Sequence, residues 1–121
     1  MKKLVRVLLL LGLAAAACAS PRRGENLGNA PVLDSASEQR GRAVFMRHCN
    51  ACHVGGAGAL GPAINDKPLP VFLVKFQVRR GLGAMPRFSK NELGDAELDD
   101  LMAYLLALRR AGGRESRTAG R

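Results

Sequence analysis

Five consecutive residues, Cys49-Asn50-Ala51-Cys52-His53, constrain this chain more than any other stretch of it. Two thiols three positions apart lie on one side of a helical turn, and the imidazole that follows is aimed at whatever they hold. Three chemistries use such a group. A redox-active cysteine pair usually sits beside a βαβ pattern, and no stretch here alternates as a strand does. A structural zinc site needs four ligands, yet no second pair follows at metal-ligand spacing. His48, the other histidine, adjoins Cys49 and suits a helix surface. Covalent haem attachment uses every residue of the motif: Cys49 and Cys52 form the thioethers and His53 ligates the iron.

The rest of the chain is compatible with one haem c. Of the 121 residues, about 100 remain once an export segment is set aside, which is room for one domain. Aromatic residues make up only 4% and tryptophan is absent, so a large apolar cofactor would fill a core that the side chains fill poorly.

The N-terminus reads as that export segment. Lys2, Lys3 and Arg6 form a basic start, Leu4 to Leu13 an apolar run, and Ala14 to Ala17 a small-residue cleavage region. The uncharged stretch from Val7 to Ser20 is shorter than the ~20 residues a spanning helix needs, which disfavours a retained anchor. Residues 1–17 are therefore expected to be removed. Cleavage before Cys18 resembles bacterial lipoprotein processing, although Ala15 stands where a larger aliphatic residue is usual. Cys18 is the candidate for lipidation; ordinary cleavage nearby would leave an odd thiol or remove it.

Residues 18–34, rich in Pro, Gly, Asn and Arg, read as a flexible linker, and 113–121 as a disordered tail. Between them, 35–112 form the domain, with three helices. Ser35 and Glu38 have capping-box spacing, and Gly41, Val44, Phe45, His48, Cys49 and Cys52 then share one helical face. A second helix starts at Pro70, runs through Arg79 and stops at Gly81. A third begins at Gly94 or Asp95 and reaches about Arg110, with Leu98, Leu101, Met102, Leu105 and Leu108 as its apolar stripe.

In this order along the chain, the motifs of Ser35 to Ala111 resemble the class I cytochrome c family. Gly41 and Phe45 stand where that family packs its N-terminal helix on its C-terminal one, and Tyr104 and Leu105 stand in the matching segment of the partner. Gly61-Pro62 is similar to the loop whose proline carbonyl accepts from the ligating imidazole. Met85-Pro86, between Gly81 and Phe88, is similar to the segment that supplies the second axial ligand. The resemblance implies an all-α cytochrome c fold, with crossed terminal helices and a middle helix around one haem. It also implies His53 and Met85 as the axial pair, a soft thioether that favours ferrous iron, and Arg79 or Arg80 near a haem propionate. Met46 and Met102 fit less well than Met85, and filling core space is the alternative role for all three.

The function that follows is single-electron transfer between redox protein partners, with no small-molecule substrate. A haem subunit of a larger dehydrogenase or oxidase is one alternative. An open-site haem protein binding gas or peroxide is another, but Gly83, Ala84 and Pro86 supply no distal hydrogen-bond donor. The formal charge of +9 falls to +6 without Lys2, Lys3 and Arg6, and to about +4 with two propionates. That surplus suits acidic or membrane-bound partners in an exported, periplasmic or membrane-anchored setting. Nucleic acid is excluded as a partner by export and by the absence of basic residues interleaved with aromatics.

Overall fold

The computed structural model describes residues 30–65 and 67–118, with side chains as far as position 112. The export segment, Cys18 and most of the linker lie outside the described residues, as do 119–121.

Helix α1 spans Ala36–His48 and opens with the capping box that its sequence spells. Ser35 Oγ accepts from the Glu38 N–H at 3.1 Å, and Glu38 Oε2 accepts from the N–H groups of Ser35 at 3.2 Å and Asp34 at 2.6 Å. Backbone donors that a helix start leaves open are thereby satisfied, a cap typically contributing ~1 kcal/mol. Leu33 packs against the core, so the last linker residues are already part of the domain.

Helix α2 spans Val71–Arg80, with Pro70 at its N-cap and Gly81 ending it at φ 72°. Helix α3 spans Asp95–Thr118. Its entry is set by Gly94, whose N–H donates to Glu97 Oε2 at 3.0 Å, while its carbonyl accepts from the Leu98 N–H at 2.9 Å. Positions 113–118, read from sequence as tail, are helical. Once α3 exists, each further residue adds a hydrogen bond without a new nucleation cost, and no proline interrupts 111–118.

Helices α1 and α3 cross with almost no space between their backbones at Gly41, which lies against the Asp100 carbonyl and the Tyr104 Cβ. Phe45 and Tyr104 meet beside this point with ring centroids 5.2 Å apart. Arg40 grips the Asp100 carboxylate with two bonds, at 2.7 and 3.0 Å, and Ser37 donates to the same group. Val44 and Phe45 from α1, Leu98, Leu101, Tyr104, Leu105 and Leu108 from α3, and Val78 from α2 make one buried cluster. No strand occurs among the described residues, and the fold is the all-α one that the sequence implied.

Candidate haem site

The end of α1 presents the motif. Cys49 is the C-cap, its N–H donating to the Phe45 carbonyl at 2.8 Å, and the chain then turns so that the His53 N–H reaches the Cys49 carbonyl at 2.9 Å. Cys49 is half-buried against the core, Cys52 is exposed, and both thiols are free. Burial, with Cys52 beside it, pushes the Cys49 thiol up to about 11. Reactive redox cysteines have their pKa lowered, the opposite direction. Among the described residues no group of three His, Cys, Asp or Glu side chains could hold a bare metal ion.

His53 is held from the opposite side. Its Nδ1 stands 2.8 Å from the Pro62 carbonyl oxygen. A carbonyl only accepts, so Nδ1 carries the proton and the Nε2 lone pair is left open. The imidazole lies flat on Gly61, where an added Cβ would fall 2.4 to 2.9 Å from three ring atoms. The Gly61 N–H donates to the Cys52 carbonyl at 2.9 Å, and Asn50 Oδ1 accepts from the Gly55 N–H at 2.9 Å. Residues 50–62 therefore fold back on the cysteines, bringing Cys49, Cys52, His53 and Pro62 together.

Met85 lies on the connection from α2 to α3. Leu82 and Met85 exchange backbone hydrogen bonds at 3.2 and 3.0 Å around Gly83 at φ 58°, which makes a tight turn. The Met85 side chain is half-buried against the same cluster that Cys49 touches. Met102 is fully committed to the core between the helices, and Met46 is exposed on α1.

The two arginines separate. Arg80 is exposed, with its guanidinium over the Phe76 ring at 5.7 Å. Arg79 is engaged within the chain: its Nη1 donates to the carbonyls of Phe88, Ser89 and Leu93, and its Nη2 to Asp95 at 2.8 Å. One residue that the sequence did not single out is Asn65, buried with its Oδ1 unpartnered among the described residues. Only the path of the loop back towards Gly56 buries it, and no local pattern announces that.

The segment from 54 to 82 also leaves large apolar side chains uncovered. Phe72 is 73% exposed, Phe76 57% and Leu82 68%, with Val54 and Leu60 open as well. Apolar exposure of this extent marks a surface that covers something.

Residues 36–105 match the family described as "Cytochrome C oxidase, cbb3-type, subunit III". The chain is 35% identical over 115 residues to cytochrome c6 of Gloeothece citriformis, covering 88% of this chain and 94% of that one. It is 34% identical over 89 residues to cytochrome c6 of Synechocystis sp., covering 67% and 72%. The chain belongs to the class I mono-haem c-type cytochromes. It is also 32% identical over 68 residues to the cytochrome c subunit of 4-cresol dehydrogenase [hydroxylating] from Pseudomonas putida, covering 56% and 59%. No solved structure matches.

As a c-type cytochrome the protein is a single-electron carrier with one covalently bound haem, working with redox partners and not as an enzyme. The residues fit that cofactor: two free thiols, an imidazole with Nε2 open, and uncovered apolar side chains between 54 and 82.

Proposed function

We propose that Cys49 and Cys52 form the thioethers to the haem, that His53 Nε2 and the Met85 thioether are its axial ligands, and that Arg80 meets a propionate. The observation that carries this reading is the bond from His53 Nδ1 to the Pro62 carbonyl, which fixes one tautomer and turns the other nitrogen outward. The haem supplies an iron that alternates between ferric and ferrous, gaining or losing one electron. The protein's part is to fill both axial positions, so that no substrate coordinates, and to keep water from the ring with the apolar residues of 54–82. Met85 is supported by its turn and by the commitment of Met102 to the core.

The decisive measurement is the visible spectrum of matured holoprotein, oxidised and reduced, with and without carbon monoxide, for the parent and Met85→Ala. A weak far-red sulfur-to-iron band in the parent, lost in Met85→Ala, together with carbon monoxide binding only in the variant, is the expected result. Carbon monoxide binding to the parent would transfer the protein to the open-site class.

The same reading places the protein outside the cytoplasm, cleaved before Cys18 and anchored by a lipid there, with acidic or membrane-bound partners. The basic–apolar–small pattern of residues 1–17 supports it. No helix among the described residues is long and apolar enough to cross a membrane. Intact-mass analysis of the processed chain is expected to show a lipidated Cys18; an unmodified N-terminus would remove the anchor. A second reading, a haem subunit of a larger dehydrogenase or oxidase, is favoured by the similarity to the dehydrogenase cytochrome subunit. It predicts that another polypeptide co-purifies in fixed ratio.

A further inference from the structure

We propose that Arg79 is a positioning residue: it clamps the loop that carries Met85 onto the end of α2. The clamp is a matter of geometry, whereas its consequence for the iron rests on the reading of Met85 as a ligand.

The connection between α2 and α3, residues 81–94, is fourteen residues of irregular chain, and its own turns close only part of it. Leu82 and Met85 bind each other, and Ser89 and Glu92 form a local turn through Ser89 Oγ and the Glu92 carboxylate at 2.7 Å. Two adjacent residues of α2 hold the chain beyond the first of those turns. The Val78 carbonyl accepts from the Phe88 N–H at 3.0 Å. The Arg79 Nη1 donates to the carbonyls of Phe88 and Ser89, both at 3.2 Å, and of Leu93 at 2.6 Å. One guanidinium end thus gathers three carbonyls from both sides of the Ser89–Glu92 turn. Leu93 is fully buried, so the third contact ties the loop to the core. Nη1 carries two N–H groups, so two of the carbonyls share one of them, while Nη2 turns to the carboxylate; a lysine ammonium is a single donor centre and cannot hold the carbonyls and the carboxylate on diverging sides.

The Arg79–Asp95 ion pair is not the essential part. Asp95 is 63% exposed and keeps Lys90 as a second partner at 2.7 Å, so it stays paired when Arg79 is removed. What Arg79 alone provides is carbonyl binding. A thioether on a loop held this way returns to the same place after each opening, so the ordering cost is met by the fold.

The test uses the matured holoprotein and the variants Arg79→Lys and Arg79→Gln, with Lys75→Gln, a partly exposed cation of the same helix paired with Asp99, as the charge control. Hydrogen exchange is followed peptide by peptide, and carbon monoxide binding to the reduced form is measured alongside. In Arg79→Gln, exchange across 82–93 is expected to accelerate about tenfold or more, with peptides of α1 and of 98–108 unchanged. Arg79→Lys should fall close to Arg79→Gln, and Lys75→Gln should match the parent across 82–93. Carbon monoxide binding, absent from the parent, should appear in both Arg79 variants. Unchanged loop exchange, or acceleration spread evenly over all helices, would overturn the clamp. Faster loop exchange in a protein whose parent already binds carbon monoxide upholds the clamp and rejects Met85 as ligand.

Discussion

Replacing Gly41 by alanine tests the crossing on which the whole domain depends. The new Cβ would stand 1.9 Å from the Asp100 carbonyl oxygen, 2.6 Å from its carbon and 2.9 Å from the Tyr104 Cβ. Ordinary contact begins near 3.4 Å, so α1 and α3 must part by about 1.5 Å, and neither backbone can turn aside as a side chain could. A gap of 0.5 to 1 Å already forfeits roughly a quarter to a half of the dispersion energy between facing atoms. Opening the seam next to Phe45 and Tyr104 should therefore cost about 3 to 5 kcal/mol, in the range of large core losses. Alanine returns about 1 kcal/mol of helix propensity, leaving a net loss of ~2 to 4 kcal/mol. For a domain of this size that lowers the melting temperature by ~10 to 25 °C. Denaturant unfolding of the holoprotein, followed by far-ultraviolet circular dichroism and by the haem absorption band, would read it. A midpoint equal to or above that of the parent would show that propensity governs position 41 and that the backbones do not meet there.

Gly61→Ala should strike the site and not the fold. The added methyl collides with the His53 ring, which must leave its plane or lose the Pro62 bond, and a lowered reduction potential with altered ligand-field bands is expected. A potential within error of the parent would mean that the ring does not rest on Gly61. Glu38 is one of the carboxylates that make the fold acid-sensitive. Its carboxyl is held below the usual range first by the Arg110 side chain, then by the Asp34 N–H. The folded value being the lower one, this stabilisation is present above about pH 4 and is lost as pH falls through the folded value. Glu38→Gln should therefore be less stable than the parent at neutral pH and show a flatter acid limb, read from urea midpoints between pH 3 and 7.

Where structure depends on near neighbours, the sequence was readable. The Ser35–Glu38 box, the start at Pro70 and the stop at Gly81 are each written within four residues of where they act, and all three occur. The motif and the Gly61-Pro62 loop were legible for the same reason, being joined by a short return of the chain. The bonds of Arg79 to the loop were not legible, because arginine near a helix end looks the same whether it faces solvent, a cofactor or a loop. What decides is the path of residues 88–93, and no short-range pattern encodes it. The burial of Asn65 has the same origin. The extra length of α3 was missed because Gly112-Gly113 reads as a stop in isolation, whereas a helix already docked on its partner continues past it.

The contact between Gly41 and Asp100 also sets an order of events during biogenesis. The helix that ends in the cysteines is made first, and the surface it needs for docking is encoded 47 residues beyond His53. An exported chain that emerges in that order presents Cys49, Cys52 and His53 before the partner of α1, so until α3 follows, the thiols face no crossing helix. A variant that delays docking of α3 should therefore lengthen the time available for haem ligation without altering the finished site.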